Sequence, residues 1–263
     1  MIGLMPVRLD HAITEKLQLV KCVYEALEEE AKRYPFVCQA GCADCCTVNL
    51  QATSAEARYF LEGLSSEEKA TLQEKLLSLR SQPRLRPKVT PNEMAALYMA
   101  GKEPPEEDDF VFIPCPFLGE NRLCQVYERR PFGCRSVFSL KPCRELGTAE
   151  VPPEFFSLIT VLMQLLEEID LAGLYGNFLD LLSFLLESEG RSPEEIVIPE
   201  ELRSNREAPD FAIPPAHEEY VRQVLAGLYR REVYPGKSFK TLLDEIKEGA
   251  QVKEALSFLG EAL

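Results

Sequence analysis

Histidine is scarce in this sequence, and so are the residue patterns of the common catalytic sites. Only His11 and His217 are present, and neither has a partner at ligand spacing, so both are interpreted as surface residues. A catalytic zinc site of the histidine type is therefore disfavoured. The sequence also has no recognisable Ser/His/Asp or Cys/His nucleophile arrangement and no glycine-rich phosphate loop. Any metal site in this chain is expected to be rich in thiolates.

Long apolar runs and an excess of basic charge are lacking as well. Residues 155–166 and 178–186 are strongly apolar, but polar residues interrupt both, and neither reaches the ~20 residues that span a bilayer. The net charge is −14, whereas proteins that bind nucleic acid usually carry a basic face. The N-terminus lacks the basic start and apolar run of a signal peptide. We therefore expect a cytoplasmic protein without a nucleic-acid or membrane partner.

Cysteine is the residue that stands out by its abundance and spacing. Four of the nine cysteines fall within the nine residues 38–46. In a chain that is not exported, they are interpreted as metal ligands and not as disulfides. Two groups of four suit either two all-thiolate tetrahedral sites or two cubane iron–sulfur clusters. The predicted ligands are Cys38, Cys42, Cys45, Cys46, Cys115, Cys124, Cys134 and Cys143.

The ninth cysteine, Cys22, is interpreted as a bystander. It lies in a predicted amphipathic helix, roughly opposite Ile13 and therefore away from the apolar stripe of that helix. It is not counted among the predicted ligands.

A basic segment lies among the downstream cysteines. Residues 122–144 contain six Arg or Lys side chains and a single acidic residue, Glu128. This segment is either a solvated surface patch or a source of positive charge that offsets the charge of clustered thiolates. Tyr127, Arg130 and Arg135 are candidate cofactor-binding residues that could shape a site for an anionic ligand. The alternative is that the arginines only donate hydrogen bonds to the cluster sulfurs.

The sequence predicts a mainly α fold with one small β-hairpin. The strands of the hairpin are expected at Phe110–Ile113 and Leu123–Tyr127, with turn residues at 119–121. Helices are expected over residues 10–34, 53–63, 66–80, 91–100, 155–166, 178–186, 217–230 and 238–258. No cysteine follows Cys143. We therefore predict a cysteine-cluster metal-binding domain over residues 1–147, with its motif core at about 36–140, and a helical C-terminal domain over 148–263.

The spacing Cys38-x3-Cys42-x2-Cys45 is also found in radical S-adenosylmethionine enzymes, in which three thiolates hold a [4Fe–4S] cluster. Those enzymes carry the motif after the first strand of a repeating strand–helix barrel. In this chain the motif follows a predicted helix, and no alternating strand–helix series comes after it. Membership of that family is therefore rejected, although three thiolates of this loop could reach one cubane.

A different resemblance rests on an ordered set of short motifs over about residues 36 to 140. The motifs are Cys38-Gln-Ala-Gly-Cys42-Ala-Asp-Cys45-Cys46, then Thr53 and Glu56, Cys115-Pro116-Phe117-Leu118, Cys124-Gln-Val126-Tyr127 and Arg130-Pro131-Phe-Gly-Cys134-Arg135. With them the chain resembles the YkgJ-type cysteine-cluster family, which is described as having a zinc- or iron-chelating CxxCxxCC domain. The first interval here holds three residues instead of two, and the family pattern does not clearly require Cys143.

This resemblance implies metal binding and, less directly, an enzyme. The family is similar in part to flagellin lysine-N-methylases, and this similarity implies S-adenosylmethionine as a further cofactor. A cubane held by three thiolates would have one iron free to bind it. The prediction that we carry forward is a protein that holds zinc or iron through Cys thiolates, with a [4Fe–4S] cluster favoured by the Cys-Cys dipeptide and the surplus over four thiols. A structural zinc module and a methylase-like enzyme are the alternatives. A protein partner is expected to bind through the helical C-terminal region.

Overall fold

Helices dominate the computed structural model, which describes residues 5–107, 110–192 and 195–260. The long helices are α1 (Met5–Ala31), α7 (Pro153–Ile169), α8 (Phe178–Ser188), α9 (Glu218–Arg230) and α10 (Phe239–Gly260). The shorter ones are α2 (Ser54–Glu62), α3 (Ser66–Ser78), α4 (Pro91–Met99), α5 (Phe132–Arg135) and α6 (Cys143–Leu146). The predicted mainly α fold is confirmed. In the described part of the chain, no helix is long and apolar enough to cross a membrane.

The strands are short, and they pair over long distances in sequence. Strand β2 (Leu174–Asn177) lies between β1 (Gln51–Thr53) and β3 (Arg203–Ser204) in an antiparallel sheet. A second antiparallel pair joins β4 (Glu232–Tyr234) to β5 (Lys237–Ser238). The fold therefore does contain a small hairpin, but it lies far from the predicted one.

The hairpin predicted across residues 110–127 is wrong. In this described segment the only strand-like pairings are two isolated bridges, Thr47 with Pro114 and Leu118 with Cys124. Pro114 and Pro116 have no N–H to give to a ladder, so the chain turns around the cysteines and does not extend. Tyr127 begins a single 3-10 turn over Tyr127–Arg129.

Side-chain caps explain where three of the helices begin. Thr53, Ser65 and Thr90 each accept a hydrogen bond from the main chain of a glutamate three residues later, and that glutamate bonds back to the cap. The first two of these capping boxes are predicted from the sequence and confirmed. They satisfy main-chain N–H groups that a helix leaves without partners.

Helix α1 is buried on more sides than its sequence predicts. It packs against α2, α7, α9 and α10, and Leu19, Val20 and Leu27 are fully buried. The placement of Cys22 away from the apolar surface is wrong, because this residue is only 8% exposed and belongs to the same core. The apolar periodicity of one helix does not show which of its other faces are covered by helices that follow later in the sequence.

Two apolar cores support the molecule, and each draws on residues from both sides of position 148. The first includes Leu27, Phe132 and Leu158, and the second includes Phe60 and Phe178. The division into domains at residue 148 stays a prediction.

Candidate metal centre

The first cysteine loop connects α1 to β1 and is shaped by two tight turns. The N–H of Cys42 donates to the carbonyl of Gln39 at 3.0 Å, and that of Cys46 donates to the carbonyl of Ala43 at 3.1 Å. Gly41 has φ +84°, a left-handed conformation that glycine adopts without a steric cost. The loop leaves Cys38, Cys42 and Cys45 exposed and Cys46 half-buried.

The next cysteines are bound to the end of this loop by main-chain hydrogen bonds. The N–H of Cys115 donates to the carbonyl of Cys46 at 2.9 Å, next to the bridge between Thr47 and Pro114. The bridge between Leu118 and Cys124 then folds the chain back towards Cys115. Cys134 lies in the short helix α5, and all three downstream thiols are half-buried. In place of the predicted hairpin the structure has a tighter loop, which also brings Cys115 and Cys124 together.

Asp44 connects the first loop to the basic segment. Its carboxylate accepts hydrogen bonds from Arg144 Nε at 3.0 Å and from Arg122 Nη2 at 3.1 Å. These arginines hold the pKa of Asp44 below its usual value, with the Arg144 bond as the largest cause. Arg144 follows Cys143 directly in helix α6, so this ion pair draws Cys143 towards the first loop. Sequence reasoning missed Asp44, because its partner Arg144 lies a hundred residues away in the chain.

The thiols of the first loop lie within reach of Cys143. Partial loss of water raises the pKa of Cys38, and the nearby thiols of Cys42, Cys143 and Cys45 raise it further. The main chain of Ser139 opposes this shift with a hydrogen bond to the Cys38 thiol.

The remaining thiols form a second neighbourhood around Cys46. The hydrogen bond from Cys45 lowers the pKa of Cys46 and raises that of Cys45, while Cys134, Cys115 and Cys124 oppose ionisation of Cys46. Burial is the main cause of the raised pKa of Cys134, to which Cys115 also contributes. Clustered thiols resist losing several protons together unless positive charge compensates them.

Two cations supply part of that compensation. Arg130 lies near Cys134, where its charge works against the raised pKa of the thiol. Its guanidinium stacks on the ring of Tyr127 at 3.4 Å from the ring centroid, and half of the Tyr127 surface is exposed. Lys75 acts in the same way on Cys115, and its ammonium donates to the carbonyl of Pro116 at 2.5 Å. Lys75 comes from helix α3, so the sequence provided no signal for its position.

Arg135 has a different environment from the other predicted cofactor-binding residues. Its guanidinium donates to the carbonyls of Arg130 and Glu128 and to the carboxylate of Glu28, and it lies 4.6 Å from the centroid of the Tyr24 ring. These partners engage the guanidinium inside the protein and anchor α5 to α1. Arg130 and Tyr127 are the members of the predicted set that face solvent.

The two histidines give no support to a mixed ligand set. The side chain of His11 lies outside the described residues. His217 is not an ordinary surface residue, because it is half-buried and its Nδ1 lies 2.8 Å from the hydroxyl of Ser157.

The donor set fits a soft metal by its chemistry. All nine cysteines are free of disulfides, and thiolates suit zinc, iron and iron–sulfur clusters. Across the described residues, no group of three or more His, Cys, Asp or Glu already has metal-binding geometry. The thiols would therefore have to draw closer around a bound metal.

Comparison with known proteins points to the same part of the chain. Residues 37–148 match the model of the CxxCxxCC family, which is described as "Putative zinc- or iron-chelating domain". This part of the chain is similar to that domain. The match includes all eight predicted ligands but less than half of the chain. No match was found among curated proteins or among solved structures.

Proposed function

We propose that this protein binds zinc or iron through its clustered cysteines and that an iron–sulfur cluster is the bound group. The main support is that eight free thiols from separate chain segments are electrostatic neighbours, Cys42, Cys45 and Cys143 of Cys38, and Cys45, Cys115, Cys124 and Cys134 of Cys46. Main-chain bonds at Cys46 and the ion pairs of Asp44 hold these segments together. A bound cluster would supply electron-transfer or cofactor chemistry.

An iron–sulfur cluster is favoured over zinc by the charges around the thiols. The number of thiols does not decide, because eight thiols suit two closed zinc sites as well as two cubane clusters. Arg130 and Lys75 lie close to Cys134 and Cys115, where positive charge would offset that of an anionic cluster. Structural zinc is the alternative, because the described residues of 101–107 and 110–152 contain little regular secondary structure that would hold their fold without a metal.

The decisive experiment is an anaerobic purification with elemental and sulfide analysis and a visible spectrum of the same sample. A brown protein with iron and matching sulfide and broad absorption near ~400 nm would support the proposal. A colourless protein with zinc would support structural sites instead. A wild-type chain with neither metal, and unable to take up either in the reduced state, would refute metal binding. Cys22→Ser is the control, since Cys22 lies in the helical core.

A methylase-like function that uses S-adenosylmethionine is a second candidate. Cys38, Cys42 and Cys45 are exposed, so a small molecule from solvent could reach a cluster that this loop holds. A cubane with only three thiolate ligands would leave one iron free for such a molecule. Addition of S-adenosylmethionine to the reduced protein should then change the electron paramagnetic resonance spectrum of the cluster, and an unchanged spectrum would argue against this function.

A further inference from the structure

We propose that the eight thiols form two separate centres of four ligands each. The first centre contains Cys38, Cys42, Cys45 and Cys143, and the second contains Cys46, Cys115, Cys124 and Cys134. This inference rests on the proposed metal binding and deepens it. It assigns Cys143, the cysteine that the family pattern does not clearly require, to the first loop.

The assignment of Cys143 follows from two connections between its segment and the first loop. The N–H of Val37 donates to the carbonyl of Ser139 at 2.9 Å, and the main chain of Ser139 also bonds to the Cys38 thiol. Further along, both oxygens of Asp44 accept hydrogen bonds from Arg144 at 3.0 Å. Asp44 also binds Arg122, two residues before Cys124, so the contacts of Ser139 are what distinguish Cys143. Cys143 lies between these two attachments in sequence, and it is an electrostatic neighbour of Cys38.

The second set is built around the carbonyl of Cys46. That carbonyl binds the N–H of Cys115, and the bridge between Leu118 and Cys124 returns the chain to Cys115. Cys134 is an electrostatic neighbour of both Cys115 and Cys124, and all three act on Cys46. Cys38, Cys42 and Cys143 are not among the groups that act most strongly on Cys46, Cys115 and Cys134.

The Cys-Cys dipeptide is the point at which the two centres meet. The N–H of Thr47 donates to the carbonyl of Cys45 at 3.0 Å, so the chain turns at Cys46 and gives the two thiols different neighbours. Cys45 is also near Cys134 and bonds to Cys46. It is therefore the one ligand that could be exchanged between the two sets.

Pairs of variants separate this arrangement from a single site. Cys143→Ala and Cys124→Ala should each leave about half of the wild-type metal in anaerobically purified protein. The double variant Cys38→Ala/Cys143→Ala, within one centre, should also leave about half, whereas Cys124→Ala/Cys143→Ala should leave almost none. Full metal content in Cys143→Ala would overturn the assignment and favour a three-thiolate first centre. Loss of all metal in Cys38→Ala/Cys143→Ala would overturn the separation into two centres.

A second measurement needs no substitution, so a variant that fails to fold would not decide the outcome. The metal-free, reduced wild-type protein is given one equivalent of cobalt(II), alkylated, and analysed by mass spectrometry. Cysteines of one set should be protected together, with Cys143 in the set of Cys38. Protection of Cys143 together with Cys124 would contradict the proposal. A wild-type protein that takes up no metal at all would instead refute the proposed function itself.

Discussion

Replacement of Arg135 by alanine is expected to weaken the fold without acting directly on the metal. The side chain of Arg135 is 8% exposed and holds α5 against α1. Its guanidinium donates to the carbonyls of Arg130 and Glu128, and it faces the ring of Tyr24. The sequence suggests a cofactor-binding role for this residue, so the variant distinguishes an anchor from a ligand-binding group.

The expected loss of stability can be estimated from these contacts. Truncation leaves two main-chain carbonyls without their donor, at about 1–3 kcal/mol each if water does not replace it. The contact with Tyr24 adds about 0.5–2 kcal/mol. The ion pair with Glu28 contributes little, because half of the Glu28 side chain is exposed to solvent. We expect a decrease of at least about 2.5 kcal/mol in the free energy of unfolding, the lower limit of these contributions when water replaces neither donor.

The assay is urea denaturation of the metal-free, reduced protein, so that metal affinity does not enter the result. Arg130→Ala is the matched control, since Arg130 is half-buried and stacks on an exposed ring. It should lower the free energy of unfolding by no more than about 1 kcal/mol, the value of an exposed contact between a cation and a ring, but should weaken metal retention. If Arg135→Ala unfolded like wild type and lost its metal, the anchoring role would be wrong and the cofactor-binding role would be favoured.

Three further outcomes follow from the buried and paired charges. Asp44→Ala should lower metal retention in a chelator competition, and Asp44→Asn should do so less, since an amide still accepts a hydrogen bond from Arg144. Cys22→Ser should retain all metal, unlike Cys45→Ser, but its buried hydroxyl should cost about 1–3 kcal/mol of stability in urea denaturation. Burial raises the pKa of Glu167 to about 7. The folded state therefore binds this proton more tightly than the unfolded state, and stability falls as the pH rises from about 4.5 to 7. Urea midpoints at pH 5 and pH 8 should differ less in Glu167→Gln than in wild type, and an equal difference would contradict the raised pKa.

Local chemistry made the longer helices predictable, whereas the four-residue helices α5 and α6 were not predicted. The capping boxes at Thr53 and Ser65 depend on residues three positions apart, so the sequence alone contains the whole interaction. Strand β2 is the opposite case, because its partner in β1 lies more than a hundred residues away and neither strand exceeds four residues. The sequence of so short a segment does not distinguish a strand from a loop, because only pairing with the distant partner makes it a strand.

The candidate site also has a part that the sequence predicts and a part that depends on long-range contacts. The cysteine positions are evident from spacing, but the positions of their neighbours depend on tertiary contacts. Asp44 meets Arg144 across a hundred residues, and Lys75 reaches the carbonyl of Pro116 from helix α3. The hairpin prediction failed because it relied on the apolar residues at 110–113 and neglected Pro114 and Pro116, which have no N–H for strand pairing.

The position of the thiols relative to the core bears on the choice between a cluster and structural zinc. Both apolar cores are built mainly from helices, and of the eight predicted ligands only Cys115 packs against one of them. A fold that depended on zinc would lose its structure with the metal, as small zinc domains do. Here the helices bury their apolar surface against one another, so removal of the metal should loosen the cysteine loops and leave the helical content almost unchanged. If the helical content survives removal of the metal, the thiols serve the chemistry of a bound metal; if the helices unfold with it, structural zinc is favoured.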